Sequence, residues 1–462
     1  MSKQNSPAPN EAAGKSRDGF TSSFGVLAAT LGSAVGLGNI WKFPYVTGAN
    51  GGAGFLVVYL LATLLVGLPV MIAEITLGRK ARADAVSTLR TLAPAGQWWW
   101  LVGLSGVVAA FLIMSFYSEV AAWVFAYVFK AMRGDILSSN PAVTSAAFGA
   151  LISDPWQALL WQWGVLLLIG GILVCGVAKG IEAVTKRLMP LLFVLLLVIG
   201  VRSLMLPGAA AGLAFLFTPD WSKLSASVVL VAMGLAFFKL SIGMGTMITY
   251  GSYFRAEQNV PLTTVRVMAA DLFVSMLAGI AIFPAVFSFG FQPAAGPSLL
   301  FITIPAVFAS MPFGHLFMVL FFVLSAVAAT GAMLSLLEVP VSVMVGRFGI
   351  SRLRATGISL LLLALVGASC ALSNSVLAEV KPFGMTFFDL FDYLSSNILL
   401  PLGGICICLF VAWVWGRQQL EEALSNQGAL ANKQVVAMVY LLLKFITPAL
   451  IALVMLRGLG WL

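Results

Sequence analysis

Gly32-Ser33-Ala34-Val35-Gly36-Leu37-Gly38-Asn39 and Ser241-Ile242-Gly243-Met244-Gly245 decide how this chain folds. Each sits inside an apolar segment that could otherwise cross a bilayer as a helix. Glycine opens backbone conformations closed to other residues and weakens a helix interior, so both segments are expected to break at their centres. Each break heads a block of five apolar spans. Paired breaks at corresponding places in two halves point to an inverted-repeat carrier, whose unwound backbone binds solute near the midplane. An odd number of spans per block requires the second block to lie inverted relative to the first. Either glycine run alone would indicate only close helix packing; the matched pair favours the carrier.

Working outward, the 462 residues are 60% hydrophobic and only 9% charged, far from the roughly 25% charged of soluble domains. Apolar stretches such as Phe55 to Leu77, Leu188 to Leu206 and Val435 to Leu456 are long enough to cross about 30 Å of hydrocarbon as helices. A β-barrel would show short alternating segments instead. The formal charge of +9 lies in loops between apolar runs, where it reports orientation rather than a nucleic-acid partner. Cys175, Cys370, Cys406 and Cys408 lie in apolar segments without metal or disulfide spacing and read as small buried hydrophobes.

Hydropathy and breakers place spans at 20–46, 54–78, 97–130, 157–175, 184–206, 226–254, 262–290, 312–343, 353–372, 386–417 and 435–457. The chain then divides into a polar tail (1–18), a first repeat (20–206), a second repeat (226–417) and an eleventh helix (435–457). The fold class is an all-α polytopic membrane protein. Basic residues such as Arg79, Lys80, Arg90, Arg255, Arg347 and Arg352 fall on alternate loops. That bias predicts a cytoplasmic N-terminus and an external C-terminus in an inner or plasma membrane. The tail lacks the pattern of a cleaved signal peptide.

Four motifs carry a resemblance to a known family. They are Gly32 to Pro44 with Asn50 to Phe55, Glu74 in its Glu-Ile-Thr-Leu-Gly-Arg context, Phe237 to Tyr253, and Phe388 to Gly404. Together they resemble the neurotransmitter:sodium symporters, in a bacterial amino acid transporter branch, from about Arg17 to the last helix. The resemblance implies a five-plus-five inverted-repeat fold with helices 1 and 6 unwound and a central site between helices 1, 3, 6 and 8. It implies that backbone groups of Ala34, Leu37 and Gly38 meet the substrate carboxylate, and that the Tyr117 hydroxyl holds it. Gly36 stands where monoamine carriers have an aspartate, which leaves room for the substrate's own carboxylate. The side-chain pocket falls to Ile113, Phe238, Ser241, Met244 and Leu336, a mostly apolar set suited to a neutral, hydrophobic or aromatic amino acid. Tyr117 and Phe238 match the aromatic lid, and Lys42 with Asp392 the outer gate. Of the inner pair, Arg17 matches the base, but the acid position falls on Gly346.

The chain departs from the family at both sodium sites. At the first, beside Asn39 and the Ala34 carbonyl, Lys239 replaces a hydroxyl residue and Asp271 an asparagine. A lone charge near the midplane costs at least about 2.5 to 3.5 kcal/mol, so the two are expected to pair; a purely structural ion pair between helices 6 and 7 is the competing reading. At the second site, the carbonyls of Gly32, Val35 and Ala328 remain, but the hydroxyl positions become Gly331 and Ala332. Hard cations need oxygen ligands, so this site reads as disabled; a register shift at Phe321-Phe322 would bring in Thr330 instead.

The expected function is secondary transport of an amino acid, with no enzymatic cofactor and no obligate protein partner. The proton is the expected coupling ion, through Lys239 or Asp271, with sodium undecided. A sodium-coupled symporter with a residual second site, a uniporter or exchanger of small amines, a sensor and a membrane enzyme are the competitors. No nucleophile, acid–base pair or metal constellation favours the enzyme.

Overall fold

The computed structural model describes residues 19–291 and 299–461; the tail 1–18 and Arg17 lie outside them. Among the described residues all regular structure is helical. The expected spans become α1 (Ser23–Ala34 and Gly38–Ala49), α2 (Ala53–Ala81), α3 (Trp100–Arg133), α4 (Pro155–Val174) and α5 (Val177–Leu204). They continue as α6 (Ala226–Lys239 and Thr246–Gly251), α7 (Val260–Ser288), α8 (Gly314–Phe348), α9 (Arg352–Asn374), α10 (Phe387–Trp415) and α11 (Lys433–Gly458). Helices 85–92, 141–153, 209–217 and 417–424 were not anticipated. They are too short for a hydropathy window that seeks spans.

Both glycine runs break their helices. The halves of α1 meet at 51°, with Val35 extended at the junction. In α6 the chain turns through Ser241, Gly243 and Gly245, all at positive φ. Hydrocarbon offers no water to backbone groups freed in this way. Side chains take that place: the Ser241 hydroxyl donates to the Ser33 carbonyl at 2.9 Å, and the Gly243 amide donates to Glu74 at 2.7 Å. The same rule acts at Pro69 in α2, which cannot bond back to the Leu65 carbonyl. The Thr447 hydroxyl of α11 donates to that carbonyl at 2.7 Å instead.

The broken helices occupy the centre. The first half of α1 packs against α5, α7 and α8, and the two halves of α6 pack along α2. Helix α8 is the most enclosed span, whereas α11 is the most open. Leu160, Leu167, Val201, Leu361, Leu365 and Phe445 point outward, as a lipid-facing shell requires. Cys175 corrects the sequence expectation: it is exposed on this outer surface, and only Cys370 and Cys408 are buried.

At the end of the bundle where the basic loops gather, the start of α1 is held by a residue not foreseen as a latch. Glu182 of α5 accepts from the Thr21 amide at 2.6 Å, the Thr21 hydroxyl at 2.8 Å and the Ser22 hydroxyl at 3.0 Å, and pairs with Lys186 at 2.5 Å. The Arg255 guanidinium adds a bond to the Thr21 carbonyl at 2.6 Å. Gly346, where the family acid was expected, is exposed.

Close backbone approach fixes the packing of α2 on the second half of α6. A Cβ at Gly78 would fall 1.9 Å from the Ile248 carbonyl oxygen, with backbone rather than a movable side chain in the way. Gly78→Ala is therefore expected to lower stability by about 1–3 kcal/mol through overpacking. Thermal unfolding of the purified variant measures this, and an unchanged transition would contradict the close packing.

Candidate functional site: a cavity between the broken helices

The breaks in α1 and α6 open onto a small cavity lined by Ser33, Ala34, Gly36, Gly38, Ile113, Tyr117, Phe238, Lys239, Ser241, Met244, Ala332 and Leu336. Of the expected substrate residues only Leu37 is absent from the lining. Its side chain is buried, but its amide donates to the Tyr117 hydroxyl at 2.9 Å. That hydroxyl thus has its acceptor side engaged at the α1 break and keeps its own hydrogen to donate, the arrangement a carboxylate needs. The apolar part comes from Ile113 on α3, Met244 at the α6 break and Leu336 with Ala332 on α8. A Cβ at Gly36 would stand 2.9 Å from the Tyr117 hydroxyl and 3.0 Å from the Ala332 methyl. Gly36 is thus the residue that lets α1 pass this close to Tyr117 and Ala332.

Behind this cavity lies a buried polar cluster. The Lys239 ammonium is 3.2 Å from the Asp271 carboxylate, and both side chains are completely buried. Lys239 also donates to the Tyr59 hydroxyl at 2.9 Å and to the Ser275 hydroxyl, so its three N–H groups meet three acceptors. Its charge lies 5.0 Å from the Phe43 ring centroid and 5.2 Å from that of Tyr59, within cation–π range. The other Asp271 oxygen accepts from the Asn39 amide at 2.7 Å. Asn39 Oδ1 is buried without a hydrogen-bond partner. The expected pairing of Lys239 with Asp271 is thus part of a larger set that joins α1, α2, α6 and α7. Tyr59 carries no sequence signal for this role. Ser275 carries a weak one, lying four residues after Asp271 and so on the same helix face.

The residues expected at the second sodium site lie where α8 meets α1. A Cβ at Gly331 would fall 2.7 Å from the Gly32 carbonyl oxygen, and the Ala332 methyl faces Gly36. Gly331 and Ala332 therefore face α1, as the unshifted register expects. The Thr330 hydroxyl, the shifted alternative, donates back to the Ala326 carbonyl of its own helix at 2.8 Å. Gly331 has no side chain and the Ala332 methyl carries no oxygen, so neither position offers a side-chain ligand.

The outer gate residues are present but not joined as a pair. Among the described residues no ion pair links Lys42 to Asp392. The Lys42 ammonium lies 4.0 Å from the centroid of Phe238, and Asp392 accepts from Ser396 at 2.7 Å. At the opposite end, Glu338 of α8 accepts from Tyr253 and pairs with Arg352 at 2.5 Å. Glu119, without an expected role, accepts from the Trp123 indole at 2.6 Å, and its second oxygen is buried without a partner.

Comparison with known proteins agrees with this architecture. The model of the sodium:neurotransmitter symporter family matches residues 17–141 and 153–460. An uncharacterized sodium-dependent transporter of Bacillus subtilis (strain 168), YhdH, is 40% identical over 96% of this chain and 97% of its own length. One of Haemophilus influenzae is 30% identical over 96% of this chain and 99% of its own. The crystal structure of MhsT in complex with L-phenylalanine superposes with a TM-score of 0.88 at 43% identity, covering 96% of this chain and all of that one. The chain belongs to the sodium:neurotransmitter symporter family and is a multi-pass membrane transporter, not an enzyme.

Proposed function

We propose that this transporter carries a neutral amino acid with a hydrophobic or aromatic side chain by alternating access, with the Lys239–Asp271 pair standing where the first sodium ion would lie. One observation carries the reading: Lys239 lines the substrate cavity and is paired to Asp271 behind it. A fixed ammonium there supplies the positive charge that a carboxylate in the cavity needs. The apolar lining supports the side-chain class, as does the L-phenylalanine held by MhsT. In this reading Ala34, Leu37, Gly38 and Tyr117 receive the carboxylate, and Phe238 with Tyr117 closes over it. Lys42 and Asp392 meet when the outer end shuts. The blocks 20–206 and 226–417 act as the two repeats, with 435–457 outside them, in an inner membrane with the N-terminus cytoplasmic.

The proton is the coupling ion of this reading, exchanged at Lys239 or Asp271. A second reading keeps sodium at the other position, on the carbonyls of Gly32, Val35 and Ala328 without the hydroxyls lost at Gly331 and Ala332. The naming of the bacterial relatives as sodium-dependent favours it. Uptake into proteoliposomes under separately imposed sodium and proton gradients separates the two. Acidification of the lumen during uptake, without a sodium requirement, is expected; strictly sodium-driven uptake without proton movement would establish the second reading.

Binding should report the site directly. Aromatic and large aliphatic amino acids are expected to raise the thermal transition of the purified protein, and amines lacking a carboxylate are not. Tyr117→Phe removes a hydrogen bond to a charged group, about 1.5 to 3 kcal/mol, and should weaken binding roughly ten-fold to a hundred-fold. Unaltered affinity would place the carboxylate elsewhere.

The ion-site substitution has its own test. Binding should persist in sodium-free buffer. Lys239→Thr combined with Asp271→Asn should make it at least partly sodium-dependent. Lys239→Ala alone leaves a buried carboxylate unpaired and should cost about 3–5 kcal/mol of stability. Sodium-dependent binding of equal strength in the unmodified protein and the double variant would refute the replacement.

A further inference from the structure

A groove at the basic end of the bundle has no part in the transport site. It runs between the turn that leads into α3 and the last turn of α8, and its walls include Arg90, Gln97, Trp98, Trp100 and Arg347. Arg90 closes the short helix 85–92, which packs against the start of α3. Trp98 and Trp100 stack with ring centroids 6.3 Å apart, and the Arg347 guanidinium lies 5.9 Å from the Trp100 centroid. Both arginines are exposed, and Trp98 is 71% exposed.

Three features mark the groove as a ligand site. No carboxylate lines it. Among the described residues neither Arg90 nor Arg347 enters an ion pair, so both guanidiniums are open to an anion. The two cations flank stacked indoles at the ends of membrane spans, where hydrocarbon gives way to headgroups and tryptophan prefers to lie. The bias of basic residues to one side of a membrane explains why arginines are here. It does not explain two unpaired guanidiniums around a single tryptophan-walled groove.

We infer that this groove binds the phosphate of an anionic phospholipid headgroup. A guanidinium presents a planar fork that matches phosphate oxygens, and basic pockets on the cytoplasmic side of membrane helices attract anionic headgroups. Arg90 and Arg347 hold the phosphate, while Trp98 and Trp100 cover the glycerol and the upper acyl chains. A zwitterionic headgroup fits poorly, because no carboxylate awaits its ammonium. Free phosphate shares the anionic chemistry but leaves the indole surface unused.

The test is thermal unfolding of the full-length protein in neutral detergent. It is titrated with short-chain phosphatidylglycerol, with phosphatidylcholine of equal chain length, and with glycerol 3-phosphate. Phosphatidylglycerol should raise the transition saturably and phosphatidylcholine should not. Arg90→Gln combined with Arg347→Gln should raise the half-saturating concentration at least ten-fold. Arg187→Gln combined with Arg354→Gln removes the same charge from exposed arginines outside the groove and should leave the response intact. The amino acid response of both variants reports whether they are folded. Should the double variant not fold, Trp98→Ala must weaken the phosphatidylglycerol response by itself. Equal responses to the two lipids, equal losses in both charge variants, or an undiminished response in the groove variant would overturn the inference. Full reproduction by glycerol 3-phosphate would overturn the lipid as source and leave an anion site.

Discussion

In hydrocarbon every backbone N–H and C=O must find a partner inside the protein, and this chain opens two helices there. Its architecture depends on three side chains that accept that burden. Ser241 meets the Ser33 carbonyl, Glu74 meets the Gly243 amide, and Tyr117 meets the Leu37 amide. Glu74 and Tyr117 come from the unbroken α2 and α3, and Ser241 from the α6 break itself, so the breaks are held partly by the scaffold and partly by each other. The same open backbone forms the wall of the cavity. The atoms that hold the breaks thus also line the cavity, and Tyr117 does both.

The Lys239 cluster obeys the same constraint with full charges. Removing two ions from water is costly enough that a buried pair is often no better than an apolar substitute. Here the cost is offset by completeness: Lys239 meets three acceptors, and Asp271 receives Asn39 on its other oxygen. There is a consequence for transport. A bound sodium ion leaves in each cycle, whereas an ammonium on a side chain cannot diffuse away. If the pair stands for that ion, as proposed above, the step that releases substrate must come from movement of the helices or of a proton.

The two ends of the bundle differ. The basic end is tied by Glu182 to the start of α1 and by Arg352 to Glu338 and through it to Tyr253. The other end has Lys42 against an aromatic face and Asp392 turned to a serine of its own helix. Polar contacts thus gather at the basic end, and Lys42 and Asp392 do not meet at the other.

By itself the sequence determined the membrane class, the eleven spans, the two breaks and most of the cavity lining. Those features are local: apolar run length, glycine in a helix interior and residue type at motif positions act wherever the chain lies. The opposite charges of Lys239 and Asp271 were legible as a pair because neither could stand alone at that depth. What required tertiary structure were the partners that distant elements supply: Tyr59 and Ser275 around Lys239, Glu182 at the start of α1, and Arg347 beside the Trp98–Trp100 stack. A tyrosine on α2 reads as an ordinary apolar-span residue until α6 is laid against it. Register between helices decides which polar atoms meet, and no sequence spacing encodes it when the partners are more than a hundred residues apart, as Tyr59 and Lys239 are.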